Sequence, residues 1–200
     1  MYQKYIAEAV GTFALATVVL GAVSFTGTLP MAVPLIAGFT LGLFVYTIGA
    51  VSGCHINPSV TFGLMSVRKI SRIEGVRYIF AQIIGAVGAI VVAKVFFTVT
   101  PSIVAPFEVT VFLAEMAGSF FFNFGIASVV YGKTKEQMSG IVVGGSLLFG
   151  ILIASFLGAS GILNPAVAFA LNSLTFVYLF APIVGAILGF HVYRYLVEGK

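Results

Sequence analysis

The chain has 200 residues, 60% of them hydrophobic and only 8% charged, with a formal net charge of +4. A soluble domain carries about 25% charged residues, so this chain has too few to cover a water-facing surface. The composition therefore points to an all-α polytopic membrane protein, because its apolar runs are continuous and rich in Gly and Ala, whereas a membrane β-barrel needs short strands of alternating polarity.

The expected elements run as follows. A hydrocarbon core of about 30 Å takes roughly 20 residues of helix at about 1.5 Å per residue. The first span, about 5–26, carries Glu8; it does not resemble a cleavable apolar core behind a basic region, so no separate signal peptide is expected. The second is about 32–51. Val51–Lys69 is too short to span and too apolar for an ordinary loop, which predicts a re-entrant segment. The third span is about 74–97, and a short connection, Thr98 to Pro106, leads to the fourth, about 107–130, which carries Glu115. A connection that short joins the flanking spans but cannot fold over the end of the bundle, so that end is expected to be open. After the link Tyr131–Gln137 come the fifth span, about 138–157, a second re-entrant segment, Gly158–Ser173, and the sixth span, about 175–197.

In this six-span arrangement Lys4, Arg68, Lys69, Arg72, Arg77, Lys133, Lys135, Arg194 and Lys200 share one side, and only Lys94 lies near the other. The positive-inside rule then puts both termini in the cytoplasm, with the cell membrane as the expected location. It also accounts for the pI of about 9.3 without nucleic acid as a partner.

The two halves repeat. Glu8-Ala9-Val10-Gly11-Thr12-Phe13 matches Glu115-Met116-Ala117-Gly118-Ser119-Phe120, and Asn57-Pro58-Ser59 matches Asn164-Pro165-Ala166, both at an offset of 107. Ala81–Ala86 resembles Ala181–Ala186 at an offset of 100. The repeats run from about 1–99 and 107–200 within a single transmembrane domain, 1–200. Each contains three spans, an odd number, so the copies lie inverted in the membrane. Helices of ten residues from Asn57 to Ser66 and from Asn164 to Ser173 would each extend about 15 Å and meet N-terminus to N-terminus. Asn as the cap followed by Pro in the first turn is the chemistry such helix starts use.

With Ser52-Gly53-Cys54-His55-Ile56-Asn57-Pro58-Ser59-Val60-Thr61, Gly161-Ile162-Leu163-Asn164-Pro165-Ala166 and the paired glutamate motifs, the chain resembles the aquaporin, or major intrinsic protein, family over almost its whole length. Asn57 and Asn164 should each cap a half-helix through the side-chain oxygen and leave the amide NH₂ free to donate into a pore. The resemblance implies that this is the family's central constriction, where the positive helix ends repel cations, a mechanism already described for aquaporin-type channels. It further implies a homotetramer with one pore per subunit.

Family members usually carry arginine directly after the second Asn-Pro-Ala; here it is Val167, followed by Ala168 where glycerol facilitators carry aspartate. Counting back from the motifs places the rest of the outer filter near Ala37, Leu152 and Gly161. A filter of Ala37, Leu152, Gly161 and Val167 is small, apolar and uncharged, with backbone carbonyls near Ala159, Ser160 and Gly161 as its polar contacts. A wide mouth passing water and small neutral solutes (glycerol, urea, ammonia, hydrogen peroxide or boric acid) is expected. The Ser59 variant of the motif and this filter are similar to plant metalloid channels, although those keep the arginine.

Glu8 and Glu115 are ionisable groups inside spans, and such groups mark function or a buried partner. Accepting hydrogen bonds from the adjacent re-entrant loop fits them better than proton transfer. His55 is expected to position its loop rather than bind metal, since the only other histidine is His191. The chain contains no aspartate, and nothing calls for a cofactor or an enzyme activity. Gly11, Gly85, Gly118 and Gly185 read as close-packing positions, and Gln82 as a partner of a loop or neighbouring helix. The competing readings are a coupled secondary transporter, which also uses broken helices, and a structural membrane protein with a vestigial pore.

Overall fold

The computed structural model describes residues 2–24, 32–97 and 108–199. Its described elements are α1 (Gln3–Ser24), α2 (Ala32–Ser52), α3 (Pro58–Ser66), α4 (Arg72–Phe96), α5 (Val109–Val130), a 3₁₀ turn (Glu136–Met138), α6 (Ser139–Phe156), α7 (Pro165–Ala170) and α8 (Phe176–Glu198). Six of these helices are long and apolar enough to cross a membrane. Their starts and ends fall within two residues of the expected spans wherever the chain is described. The connection 98–106, with the repeat boundaries near 99 and 107, lies outside the described residues.

The spans are apolar on every side because one side faces the protein core and the other faces lipid. Phe39, Phe80, Val95, Phe156 and Leu196 are exposed around the perimeter, while Leu15, Leu41, Phe122, Leu147 and Phe190 are buried. The packing repeats between halves. Helix α1 lies against α2 and α4, as α5 lies against α6 and α8, and α2 meets α6 across the pseudo-symmetry. The short α3 packs on α8 and α4, and the short α7 on α4 and α1, so each half-helix is held mainly by the opposite half or at the seam. Gly85 and Gly185 occupy equivalent crossings: a Cβ on Gly85 would collide with the Ala9 carbonyl, and one on Gly185 with the Met116 carbonyl. Small residues there let the backbones touch.

Several contacts gather one end of the molecule. Lys4 pairs with Glu74 at 2.5 Å, joining the starts of α1 and α4. The Tyr46 hydroxyl donates to the Gln137 carbonyl at 2.8 Å, joining the end of α2 to the start of α6. Lys69 lies 4.5 Å from the Tyr131 ring centroid, and Tyr131 stands beside Tyr193 of α8. Lys94, in the last turn of α4, lies at the other end.

The half-helices are unequal: α3 with its Asn57 cap fills the expected 57–66, but α7 stops at Ala170, which corrects the expectation of an equal second helix reaching Ser173. Helix α3 has nine residues and α7 only six. Together they rise about 22 Å at about 1.5 Å per residue, short of a full hydrocarbon thickness. The cause is local: Asn172 enters the left-handed region at φ +52, and the Ser173 N–H closes back on the Ala168 carbonyl at 2.8 Å. This is the helix-terminating geometry that Asn tolerates. The turn after α3 closes the same way, with the Lys69 N–H on the Leu64 carbonyl at 2.9 Å, but the left-handed residue there is Arg68, at φ +61.

Candidate functional site

The two Asn-Pro starts meet in the middle of the molecule. Asn57 caps α3: its Oδ1 accepts the Ser59 N–H at 2.8 Å and lies 2.9 Å from the Ser59 hydroxyl. Asn164 caps α7: its Oδ1 accepts the N–H groups of Ala166 at 3.0 Å and Val167 at 3.4 Å. The remaining amide groups do not both stay free, contrary to the sequence-based expectation. Asn57 Nδ2 donates to the Leu163 carbonyl at 3.1 Å, and Asn164 Nδ2 donates to the Ile56 carbonyl at 3.1 Å. A side-chain amide has two N–H donors, so each asparagine keeps one for the lumen. The Ser59 hydroxyl also approaches the Leu163 carbonyl, at 3.1 Å. Ala166 has no counterpart to that contact.

Ile56 and Leu163, each directly before its asparagine, adopt φ +39 and φ +52 and are fully buried. Left-handed backbone is a marked outlier for a β-branched residue such as Ile56 and is sustained only where its surroundings over-determine it. Here the carbonyl of each is held by the opposite asparagine, and the amide by a glutamate of the same half. Glu8 Oε1 accepts the Ser52 hydroxyl at 2.7 Å and the His55 N–H at 2.9 Å; Oε2 accepts the Ile56 N–H at 2.7 Å and Gln82 Nε2 at 2.8 Å. Glu115 Oε1 accepts the N–H groups of Gly161 at 2.7 Å and Ile162 at 3.2 Å; Oε2 accepts that of Leu163 at 3.1 Å. Both carboxylates therefore satisfy loop amides that lipid cannot.

Tyrosines brace both loops. The Tyr78 hydroxyl donates to the Ser52 carbonyl at 2.9 Å, and the Tyr178 hydroxyl to Ser160 Oγ at 3.0 Å. Thr61 Oγ1 donates to the Asn57 carbonyl at 3.1 Å, accepts from Gln82 Nε2 at 3.1 Å, and lies 3.1 Å from His55 Nδ1. His55 is thus fixed by its side chain as well as by its backbone.

A cavity runs from this meeting point past the loop that precedes α7. The space open to the centre of a water molecule is ≈ 50 Å³. One water needs about 10–15 Å³ on that measure, so the cavity holds a short file of waters. Asn57, Asn164, His55 and Ser160 supply its polar side chains, and no Lys, Arg or Glu is on its wall among the described residues. Pro58, Ser59, Pro165 and Ala166 are buried behind the wall in the half-helix starts.

Of the four expected filter residues, Ala37, Gly161 and Val167 line this cavity, and Leu152 does not. Ile151 stands at the wall in its place. Successive residues on a helix point about 100° apart, so a one-residue register error turns the side chain away from the lumen. Ile151 also crowds the loop: a Cβ on Gly161 would come within 2.9 Å of the Ile151 carbonyl oxygen, and Gly161 has φ +68. With Phe122, Leu15 and Val19 also on the wall, the lumen is tighter than four small side chains would leave it. Ala159 is not on the wall; it packs, half-buried, against the core, and Ser160, Gly161 and Ile162 form that loop's lining.

Phe122, Leu15, Ile151 and the two bracing tyrosines are not expected from the sequence. Tyr78 and Tyr178 carry the same 100-residue offset as the Ala81 and Ala181 segments, a signal that was present. Phe122 and Leu15 are 107 residues apart, as are the glutamates, but apolar residues in an apolar chain do not announce a lumen.

Comparison with known proteins agrees with this architecture. Residues 1–193 match the family described as Major intrinsic protein. Aquaporin AqpM of Methanothermobacter thermautotrophicus is 32% identical, covering 97% of this chain and 97% of its own. Glycerol uptake facilitator protein-like 6 of Lactiplantibacillus plantarum is 32% identical over 93% of this chain and 94% of its own. Nodulin-26 of Glycine max is 29% identical over 96% of this chain and 77% of its own. The fold is similar to that of the aquaglyceroporin from Plasmodium falciparum, with a TM-score of 0.73 and 22% identity over 98% of this chain and 96% of that one. With a family match over nearly its full length and paired half-helices capped by Asn57 and Asn164, this chain belongs to the major intrinsic protein family.

Proposed function

We propose that this protein is a passive channel for water and small neutral solutes. The observation that carries the reading is the cavity between the two half-helix starts, with one amide N–H of Asn57 and one of Asn164 left to donate to a permeant oxygen. Both positive helix ends face that point, which favours an accepting oxygen and opposes a cation. The outer stretch offers Ala37, Ile151, Gly161 and Val167, with polar groups from Ser160 and the loop carbonyls. Without a fixed positive charge there, exclusion of cations and protons rests on the asparagines and helix ends. Glycerol, urea, ammonia, hydrogen peroxide and boric acid are the candidate solutes beside water. The loop groups that Glu8 and Glu115 already hold support scaffolding in place of ion coupling.

The protein is further proposed to work in the cell membrane as a homotetramer with one pore per subunit and both termini cytoplasmic, the side favoured by nine of its ten Lys and Arg residues. Stopped-flow light scattering on proteoliposomes, with gradients of water, glycerol, urea and boric acid, tests the channel reading. A low activation energy and indifference to ion gradients are expected. Flux that requires a driving ion would establish a transporter instead, and shrinkage no faster than protein-free vesicles would leave a structural protein.

A further inference from the structure

On the end of the molecule that carries Lys4 and Tyr131, an open trough of ≈ 730 Å³ lies between the end of α3, the start of α4 and the flank of α8. Its lining divides by chemistry. Phe62, Val76 and Ile187 form an apolar wall that continues onto the lipid-facing surface, while Arg68, Arg72 and Ser71 form the polar end. Neither arginine has an acidic partner among the described residues. The nearby carboxylate, Glu74, is already engaged by Lys4 at 2.5 Å and faces Arg77 at 3.7 Å. Ser71 Oγ accepts the Glu74 N–H at 3.2 Å, and its own hydroxyl proton has no acceptor among the described residues.

Arg68 is the informative residue. It holds the left-handed position of the turn after α3, at φ +61, where the matching turn after α7 uses Asn172. Gly or Asn suits that position and Arg does not. An unfavourable backbone state found on one copy of the repeat, at a residue whose charge has no acidic partner among the described residues, points to a use for that charge.

We propose that the trough is a binding site for an anionic phospholipid. The guanidinium groups of Arg68 and Arg72 and the Ser71 hydroxyl receive the headgroup phosphate, and Phe62, Val76 and Ile187 carry the first part of an acyl chain. Arginine suits this task because its fork of donors matches phosphate oxygens, and basic pockets at the ends of membrane helices take such headgroups. A soluble anion would leave the apolar wall unused.

The test measures lipid retained by the full-length protein, by native mass spectrometry after extraction from vesicles of mixed phosphatidylglycerol and phosphatidylcholine. The unmodified protein should retain phosphatidylglycerol preferentially. Arg68→Asn with Arg72→Gln should lower that preference on the order of 30-fold, and Arg72→Gln alone about fivefold, with water flux unchanged. Asn suits the left-handed turn and Arg72 is exposed, so folding is retained; if the double variant fails to fold, the single one decides. Lys133→Gln with Lys135→Gln removes the same charge at the same end and should change nothing. Three results would overturn the proposal: an unchanged preference in the arginine variants, an equal loss in the lysine variant, or displacement of the retained lipid by inorganic phosphate alone.

Discussion

Asn57 and Asn164 are cross-bonded through the residues that precede them: each donates its amide to the carbonyl directly before the other, at 3.1 Å in both directions. Each asparagine therefore does three things at once. It caps its own helix, ties its loop to the opposite loop, and keeps one N–H for the lumen. Separating these roles separates stability from permeation.

Asn57→Asp does so. A carboxylate still accepts the Ser59 N–H and still caps α3, but it cannot donate to the Leu163 carbonyl or to a permeant. The substitution also places negative charge where two helix ends repel cations. Water permeability should fall and a monovalent cation leak should appear, read by stopped-flow and by vesicle conductance. Asn57→Ala, which also removes the cap, should lose about 1 kcal/mol more stability than a capping variant. An Asp variant that conducts water normally and excludes cations would contradict the donor role.

Glu8 and Glu115 hold buried loop amides, so replacing either with Gln should weaken the fold. A glutamine offers one acceptor oxygen in place of two and leaves at least one buried N–H unsatisfied. Each substitution should cost about 2 kcal/mol, seen as a lower unfolding temperature in detergent. Unchanged stability with altered proton flux would indicate a proton carrier.

Gly161 and Gly158 both have positive φ, at +68 and +89, but only Gly161 abuts Ile151. Both Ala variants should lose about 1–2 kcal/mol to backbone strain. Gly161→Ala should in addition reduce water flux, because its new methyl must displace Ile151 at the cavity wall. Equal fluxes in the two variants would mean that the Ile151–Gly161 contact does not set the lumen.

Much of this was legible in the sequence because polar residues are rare in so apolar a chain. Glu8 and Glu115, and Asn57 and Asn164, share one offset and so announce both the repeat and the residues at its centre. What they bind was less legible. The partners of the asparagine amides are the carbonyls of Ile56 and Leu163, and a carbonyl has no residue identity to read. The length of α7 is set by the left-handed state of Asn172, a conformation rather than a composition. The exchange of Leu152 for Ile151 reflects an apolar stretch of α6 in which no polar residue marks the face toward the lumen.

Val167, directly after the second Asn-Pro-Ala, lines the cavity at 4% exposure. Val167→Arg would add a fixed charge and donors while filling the lumen beside Gly161. Paired water and glycerol fluxes, measured on the same proteoliposomes for the unmodified and Val167→Arg proteins, are the decisive comparison. Glycerol flux should fall more than water flux, and any cation leak should fall with it. Equal losses of both fluxes, or a glycerol flux that is unchanged or raised, would contradict a lumen whose selectivity is set at Val167.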